Sequence, residues 1–172
     1  MKAWEDRGRL THFYSWAVPN SKALEAIAEY SPIVEIGAGT GYWAKLLQDQ
    51  GCDVLAFDKA PPHKKSNPYH DCGVITNVWT EIRQGSASVL KRPECKGRAL
   101  FLCWPPYNTS MASDCLRYFK GDIVIYVGEG GYGCTGDEAF HNKLNKDFEH
   151  VKTVGIPQWH GIHDCLTVWK RK

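Results

Sequence analysis

The residues with the clearest chemical purpose form a glycine-rich loop in the first quarter of the chain. Gly37, Gly39 and Gly41 follow directly on the apolar run 33–36. Glycines at the turn from a strand to a helix let the backbone approach a ligand closely and adopt conformations that other residues resist. A dinucleotide-binding loop has the spacing G-x-G-x-x-G, whereas here Tyr42 takes the position of the last glycine. The spacing therefore favours a ligand other than a dinucleotide.

Two acidic residues accompany this loop. Glu35 stands in the apolar run just before it, and Asp58 ends the next apolar run along the chain. A carboxylate beside the loop would repel a phosphate, but it can organise the loop and hold the ammonium of an amino-acid tail. A carboxylate at the end of the following strand can accept hydrogen bonds from both hydroxyls of an adenosine ribose. The pattern therefore favours a ligand that carries both groups.

A second candidate site follows the apolar run 99–103. Cys103 and Trp104 precede a stiff turn, Pro105-Pro106, which is followed by Tyr107. An indole can only donate a hydrogen bond, so Trp104 offers no acceptor to an amine. We expect the turn to present Tyr107 and backbone carbonyls to the ligand. The alternative is a strand end with a packed tryptophan.

Further polar side chains lie near the carboxyl ends of later strands, the edge where open parallel sheets bind ligands. Glu129 follows one strand, and Trp159, His160 and His163 lie in the loop between the last two strands. Glu129 or His163 is a candidate general base. Alternatively, Glu129 caps a turn, and His163 orders its loop with Asp164. We predict no metal site, because the two histidines have no third ligand nearby in the sequence.

The segment before the first strand carries two aromatic candidates, Tyr14 and Trp16. These side chains either form part of a lid over the ligand or anchor the first helix to the core. We predict one domain over residues 1–172, with 1–32 as a leader and helix over the ligand site and 33–172 as the core.

Alternating strands and helices must position these residues. Pro19–Ser21 begins one helix, Gly51 ends the next, and Thr135 with Glu138 forms a capping box for a later one. The predicted strands are 33–36, 54–57, 73–78, 99–103, 123–127, 151–156 and 165–169. This order predicts an α/β fold with a doubly wound, mostly parallel seven-stranded sheet. The last two strands are too closely joined for a crossover helix, so they form a C-terminal antiparallel hairpin.

Composition narrows the class of protein. The 172 residues are 43% hydrophobic and 23% charged, which excludes a disordered tail and a fibrous repeat. Without the three basic residues at the C-terminus, 18 Lys and Arg face 19 Asp and Glu, so no nucleic-acid footprint is indicated. We expect no signal peptide and no membrane span. Seven cysteines without C-x-x-C spacing favour free thiols and a cytoplasmic location.

The glycine loop, its two acids and the strand order resemble class I S-adenosylmethionine-dependent methyltransferases over nearly the whole chain. The resemblance implies the Rossmann-like fold of that family and S-adenosylmethionine as cofactor. It also implies that the segment 84–87 flanks the adenine, with Ser86 where the family often has an acid. The implied cofactor contacts are Glu35, Gly37, Ala38, Gly39, Gly41, Asp58, Ser86, Ala87, Cys103 and Trp104. The alternative is a glycine-rich turn that occurs by chance.

The turn at 103–107 resembles the Asp/Asn-Pro-Pro-Tyr motif of methyltransferases that act on planar amino groups, but Trp104 replaces the hydrogen-bond acceptor. The implied acceptor contacts are Tyr14, Trp16, Pro105, Pro106, Trp159 and His160, with Tyr107, Glu129 and His163 as catalytic candidates. We predict a methyltransferase for a small-molecule acceptor, since the length leaves no separate recognition domain. The alternatives are an amino-methyltransferase acting on nucleic acid or protein, and a non-catalytic module that binds S-adenosylmethionine.

Overall fold

The computed structural model describes residues 2–70, 78–131 and 133–172, with side chains from residue 6 onward. The helices are α1 (Lys2–Phe13), α2 (Ser21–Ala28), α3 (Tyr42–Asp49), α4 (Met111–Tyr118) and α5 (Glu138–Asp147). The strands are β1 (Ile33–Ile36), β2 (Val54–Asp58), β3 (Arg83–Gln84), β4 (Ala99–Cys103), β5 (Ile123–Gly128), β6 (Phe148–Gly155) and β7 (Cys165–Arg171). Two short 3₁₀ helices, Ala87–Lys91 and Pro93–Cys95, lie between β3 and β4.

The seven strands form one sheet in the order β3-β2-β1-β4-β5-β7-β6. Strands β1 to β5 are paired in parallel, and β7 runs antiparallel between β5 and β6. This arrangement confirms the predicted α/β fold and the predicted C-terminal hairpin. The carboxyl ends of β1, β2, β3 and β4 therefore meet at one edge, where the glycine loop and the Pro-Pro turn both begin.

The core is divided by the sheet into two apolar layers. Alternate residues of a strand point to opposite faces, so Phe101 packs with the α2 and α3 side while Leu100 packs with the α4 and α5 side. All four residues of β1 are buried, as expected for a parallel strand with helices on both faces. Among the described residues, no helix has the length and apolar character needed to cross a bilayer.

Local sequence signals predicted side-chain caps for two helices, and the structure confirms one of them. The side chain of Asn20 accepts a hydrogen bond from the Ala23 backbone N–H and caps α2, as predicted. The predicted capping box at Thr135 is wrong, because α5 begins after Asp137. The Thr135 hydroxyl instead accepts a hydrogen bond from the backbone N–H of Glu129 at 2.7 Å. Its oxygen therefore organises the loop after β5 instead of the helix.

Two segments differ from the sequence predictions in other ways. Residues 2–13 form a helix, which the sequence analysis did not identify because its apolar residues do not follow a clear helical period. The predicted strand at 73–78 lies, apart from Val78, outside the described residues. The strand that pairs with β2 is Arg83–Gln84, opposite Phe57 and Asp58.

Candidate cofactor and acceptor site

The glycine loop leaves β1 in a conformation that suits glycine alone. Gly37, Gly39 and Gly41 have φ angles of +77°, +54° and +76°. A Cβ atom on Gly37 would lie 2.4 Å from the Met111 side chain, and one on Gly39 would lie 2.3 Å from Nε2 of His70. Other residues would therefore be strained here both by their backbone angle and by their neighbours.

Asp58, at the end of β2, holds this loop in place. One carboxylate oxygen accepts a hydrogen bond from the Gly39 N–H at 2.9 Å, and the other accepts from the Ala60 N–H at 2.8 Å and from Asn67 at 3.3 Å. Burial raises the pKa of Asp58, while the two backbone N–H groups act in the opposite direction. A carboxylate has about four lone-pair sites, so three donors leave acceptor capacity for a ligand hydroxyl.

Glu35 is buried with an unsatisfied oxygen. Its side chain is 2% exposed, and its Oε2 has no hydrogen-bond partner among the described residues. Burial, with a smaller contribution from nearby Asp58, raises the pKa of Glu35 to about 8. A buried carboxyl group without a partner is costly, so this position favours a ligand that brings a hydrogen-bond donor or a positive charge.

A narrow first cleft, with a cavity volume of about 20 Å³, opens beside Glu35 at the ends of β1 and β4. Its lining consists of Ser15, Trp16, Glu35, Gly37, Ala38, Trp43, His70, Cys103 and Trp104. The indole Nε1 of Trp43 is buried and, like Glu35 Oε2, has no partner among the described residues. The cleft therefore presents one unpaired donor and one unpaired acceptor.

A second, wider cleft, with a cavity volume of about 270 Å³, lies at the ends of β2 and β3. Its lining consists of Lys59, Gln84, Gly85, Ser86, Ser88, Val89 and Arg92. A Cβ on Gly85 would lie 2.4 Å from the Val89 side chain, so this wall also requires a glycine. Because β2 lies between β3 and β1 in the sheet, Asp58 stands between the two clefts.

Trp104 leaves β4 in an unusual conformation. Its φ angle of +51° is the only positive value for a non-glycine residue among those described. Its indole ring stacks on Trp16 with centroids 5.5 Å apart and planes inclined by 22°. Its Nε1 donates a hydrogen bond of 2.7 Å to Oδ2 of Asp164. A bulky residue rarely adopts this backbone region, and such strain concentrates at functional sites.

Asp164, just before β7, is a residue of this site that the sequence analysis did not select. Its side chain is fully buried, and Oδ1 has no partner in the described part of the chain. Burial raises the pKa of Asp164, although the hydrogen bond from Trp104 acts in the opposite direction. An acidic residue in a short loop next to the sheet edge was the available signal.

Glu129 joins two loops at the sheet edge. Its Oε2 accepts a hydrogen bond from the Cys134 N–H at 2.8 Å, and its Oε1 accepts from the His163 N–H at 2.9 Å. Burial raises the pKa of Glu129, but hydrogen bonds from the two backbone N–H groups and the Cys134 side chain, together with the nearby His163, lower it overall. The geometry favours the turn-capping alternative over a general base, because both oxygens are engaged and the carboxylate is a weak base.

The leader lies across the carboxyl edge of the sheet. The carbonyl of Phe13 accepts a hydrogen bond from Trp79 Nε1 at 2.9 Å, and that of Tyr14 accepts from the Thr40 hydroxyl. The Tyr14 ring stacks on Trp79 at 5.2 Å. The Tyr14 ring lies outside the lining of the first cleft, and its role in acceptor binding stays a prediction.

Trp16, in contrast, lies in the cleft itself. Its carbonyl accepts a hydrogen bond from Trp159 Nε1 at 3.0 Å, and its own Nε1 donates to the Tyr69 carbonyl at 3.3 Å. The loop between β6 and β7 and the loop after β2 are therefore both tied to this tryptophan.

The remaining sequence-derived candidates are distributed around the two clefts. The Pro105 carbonyl accepts a hydrogen bond from the Gly136 N–H at 2.7 Å, and Pro106 bridges Thr135, so the Pro-Pro turn is fixed to the loop after β5. The exposed candidates are Tyr107, Ser86, His160 and His163, whereas Ala87 is buried and Trp159 is half-buried. The catalytic roles of Tyr107, Glu129 and His163 stay predictions, as do the cofactor contacts. His70 and Trp43 line the first cleft without having been selected, since neither belongs to a recognisable motif.

The chain matches no family model and no curated protein, but it resembles many solved structures. Magnesium protoporphyrin IX methyltransferase (ChlM) from Synechocystis PCC 6803 with bound SAH has a TM-score of 0.57 at 11% identity, over 98% of this chain and 87% of that one. Sp1610 from Streptococcus pneumoniae, a proposed tRNA (m1A22) methyltransferase in complex with S-adenosyl-L-methionine, has a TM-score of 0.53 at 12% identity, over 89% and 73%. PH0226 protein from Pyrococcus horikoshii OT3 has a TM-score of 0.55 at 16% identity, over 98% and 92%.

The comparisons agree with the α/β fold described above. The chain has the class I methyltransferase fold, a Rossmann-like α/β sheet with a C-terminal antiparallel strand. At this level of identity the likeness concerns the fold, so cofactor and acceptor have to be argued from the clefts.

Proposed function

We propose that this protein is an S-adenosylmethionine-dependent methyltransferase that acts on a small-molecule acceptor. The observation that carries the proposal is the arrangement of two clefts on either side of Asp58. In the first cleft, Glu35 Oε2 and Trp43 Nε1 have no hydrogen-bond partner among the described residues. An extended ligand with an amino-acid end, a ribose and an adenine matches that arrangement. The solved structures of the same fold that hold S-adenosylmethionine or SAH support the choice.

The first cleft suits the amino-acid end of the cofactor. Glu35 Oε2 would take the ammonium, and Trp43 Nε1 would donate to the carboxylate, so that each unpaired atom gains a partner of the required type. The backbone of Gly37 and Ala38 lines the same cleft and allows close approach. A ligand without both charges would leave one of the two groups unsatisfied.

The second cleft suits the adenine, and Asp58 suits the ribose. The remaining acceptor capacity of the Asp58 carboxylate is available to a ribose hydroxyl. Ser86 has an exposed hydroxyl in the second cleft, where it can bond to the exocyclic amine of the adenine. Gly85 provides room between Phe57 and Val89.

The chain's own residues would position the reactants and exclude water. When bound, S-adenosylmethionine supplies an electrophilic methyl group that needs no further activation. Trp16 and Trp104 cover the first cleft with apolar surface and reduce its contact with water. Holding the acceptor in line with the methyl group converts a bimolecular step into a local one. Tyr107 and the carbonyl of Pro106 are candidates for orienting that acceptor.

A small acceptor is supported by charge. The body of the protein is nearly neutral, with 18 basic residues against 19 acidic ones when the C-terminal three are set aside, whereas phosphate contacts dominate binding to nucleic acid. One observation favours the second candidate, an amino-methyltransferase acting on nucleic acid or protein. Tyr107, which follows the Pro-Pro turn, is 60% exposed. Among the described cysteines all six are free, which supports a reducing, cytoplasmic location.

A labelled-methyl assay tests the function. The protein is incubated with S-adenosylmethionine labelled in its methyl group and with a cell extract separated into small molecules, nucleic acid and protein. We expect label to move into the small-molecule fraction. Label in the nucleic acid or protein would support the second candidate, and cofactor binding without transfer to any fraction would identify a non-catalytic module.

The Asp58→Asn variant provides an internal control for this assay. It keeps the size of the side chain but loses one acceptor oxygen and the charge, so cofactor binding and label transfer should both fall. The exposed Asp49 forms only a local ion pair with Lys45, and Asp49→Asn should behave as the wild type. Equal transfer by Asp58→Asn and wild type would argue against the ribose role.

A further inference from the structure

The stacked indoles of Trp16 and Trp104 form part of the lining of the first cleft. Their rings are stacked at 5.5 Å, and both residues line the cleft together with Glu35. The positive φ angle of Trp104 is a conformation that packing alone would satisfy more easily with a glycine. The conformation therefore indicates that the position of this indole matters to the site.

The Asp164 carboxylate lies at the edge of the Trp104 ring, where it accepts the indole N–H. Oδ2 of Asp164 accepts the indole N–H at 2.7 Å, while Oδ1 has no partner among the described residues and the side chain is fully buried. Donation of an N–H to a carboxylate increases the electron density of the indole, and the face of an electron-rich ring attracts cations. Phenylalanine or leucine at position 104 has no N–H to donate to Asp164, so the carboxylate could not increase the electron density of its side chain.

The charges around the two rings act in opposite directions. The guanidinium of Arg7 lies over the Trp16 ring, 5.7 Å from its centroid, which shows that this ring accepts a cation but also places a positive charge nearby. Glu35, in the same cleft, supplies a carboxyl group. The lining of the first cleft contains no lysine or arginine. A cation held against the Trp104 ring would therefore meet attraction from its π face and from the Asp164 carboxylate, and Arg7 on Trp16 would oppose part of that attraction.

We propose that the stacked pair Trp16–Trp104, with Asp164 behind it, binds the positively charged sulfonium of S-adenosylmethionine and thereby favours the cofactor over its neutral demethylated product. The inference rests on the proposed function. In S-adenosylmethionine a short methylene linker joins the sulfonium to the amino-acid end, so a ligand whose ammonium contacts Glu35 keeps its sulfonium within the same cleft. Transfer of the methyl group converts the sulfonium into an uncharged thioether, and the attraction disappears as the product forms.

The consequence is selective binding of the reactant and easier release of the product. Cation–π interactions contribute about 0.5–2 kcal/mol, which corresponds to a preference of roughly 2–30-fold. We therefore expect wild-type protein to bind S-adenosylmethionine more tightly than S-adenosylhomocysteine by a factor in that range. Sinefungin, which carries a protonated amine near the sulfonium position, should bind like the charged ligand.

Titration calorimetry with these three ligands tests the inference without knowledge of the acceptor. Asp164→Asn keeps an oxygen acceptor for the indole N–H but removes the charge, and Trp104→Phe keeps a ring but loses the N–H. We expect each variant to lose affinity for S-adenosylmethionine and sinefungin by roughly 3–10-fold and to bind S-adenosylhomocysteine within about twofold of wild type. Trp104→Leu, which lacks a π face, should abolish the preference.

Matched controls separate the charge effect from general loss of packing. Trp169→Phe removes an indole N–H that bonds to Thr167, and Asp122→Asn removes an exposed carboxylate. Neither residue lines a cleft, so neither control should alter the preference. Thermal unfolding of every variant establishes that it is folded, and if Trp104→Leu does not fold, Asp164→Asn and Trp104→Phe still decide the matter.

The outcomes distinguish this inference from the proposed function. If the variants weaken binding of charged and neutral ligands by the same factor, or leave the ratio unchanged, the inference is overturned while the cofactor assignment stands. If wild-type protein binds neither S-adenosylmethionine nor S-adenosylhomocysteine, the proposed function fails and the inference fails with it.

Discussion

The two walls of the first cleft are constructed differently. On one wall the glycine loop is held by a hydrogen bond between Gly39 and Asp58, 19 residues apart, and its shape leaves no room for side chains. On the other wall, side chains make the contacts, and they join residues far apart in the chain. Trp104 and Asp164 are 60 residues apart, and Trp16 and Trp159 are 143 apart. The first wall, which we call the glycine wall (residues 37–41), is therefore a fixed backbone surface. The second, which we call the tryptophan wall (Trp16 and Trp104 with their partners Asp164 and Trp159), consists of contacts that can be weakened one at a time.

The largest expected effect comes from breaking the glycine wall. Gly39→Ala would place a Cβ 2.3 Å from the His70 ring at a φ of +54°. We expect the free energy of unfolding to fall by about 1–2 kcal/mol from the backbone angle alone. Since the loop must also shift, cofactor affinity should fall on the order of 100-fold. Chemical denaturation and titration calorimetry measure the two effects.

Gly51→Ala is the matched control for this substitution. Gly51 has a φ of +86° but has nothing within 4 Å of the added Cβ, so it isolates the cost of the backbone angle. We expect a similar loss of stability with unchanged cofactor affinity. A Gly39→Ala protein that binds the cofactor as well as Gly51→Ala does would show that the loop does not contact it.

The next effect concerns Glu35, whose Oε2 has no hydrogen-bond partner among the described residues. Glu35→Gln removes the charge that would hold the cofactor ammonium, and hydrogen bonds to charged groups contribute about 1.5–3 kcal/mol. Affinity for S-adenosylmethionine should therefore fall by roughly 10–100-fold. Glu29, which is exposed and paired with Lys152, supplies the control variant Glu29→Gln. Equal losses in the two variants would contradict the role of Glu35.

Glu35→Gln also changes how the stability of the protein depends on pH. The pKa of Glu35 is raised from 4.5 to about 8 in the folded protein, so the unfolded chain loses this proton first. The free energy of unfolding should then decrease as the pH rises from 4.5 to about 8. Denaturation of Glu35→Gln across this range should show a smaller decrease. A decrease as steep as that of wild type would place its origin in other groups.

Cofactor binding should also release a proton near pH 7. The free protein holds the Glu35 carboxyl protonated there, because its pKa is about 8, and a bound ammonium would favour the carboxylate. Affinity should therefore rise with pH by up to about tenfold per unit and become constant above a pH of about 8. Calorimetry in two buffers with different ionisation enthalpies measures the released proton. Identical apparent enthalpies in both buffers would rule this proton release out.

The smallest expected effect comes from loosening the tryptophan wall. Trp159→Phe removes the hydrogen bond to the Trp16 carbonyl, and a single neutral hydrogen bond contributes about 0.5–1.5 kcal/mol. We expect cofactor affinity to change by less than about tenfold and hydrogen exchange in residues 13–17 to become faster. Unchanged exchange in this segment would mean that other contacts hold the leader.

The parts of the fold that the sequence predicted depend on local signals. The run into Gly37, Gly39 and Gly41 and the acid at Asp58 lie within a short stretch of chain, and their order alone predicts a strand, a tight turn and a second strand. The C-terminal hairpin followed in the same way from the short connection between its strands. One prediction from a local signal was wrong: the Thr135 hydroxyl accepts a hydrogen bond from Glu129 in the loop after β5 and does not cap α5.

The tryptophan wall could not be predicted because it depends on contacts between distant residues. That the Trp104 indole would donate to Asp164 depends on a φ of +51° and on the fold of the β6–β7 loop, neither of which has a local sequence signal. Trp43 belongs to the apolar layer on the α3 side of the sheet, and only the structure reveals that its N–H has no hydrogen-bond partner among the described residues. The candidate donor site was therefore predictable from sequence, and the wall beside it was not.

The most direct test of the central claim is a calorimetric titration of wild-type protein with S-adenosylmethionine and, separately, with NAD. The account predicts stoichiometric binding of S-adenosylmethionine with release of a proton at pH 7, and no binding of NAD, because the glycine loop lacks the dinucleotide spacing and Glu35 stands beside it. Binding of NAD without binding of S-adenosylmethionine would contradict the assignment of both clefts.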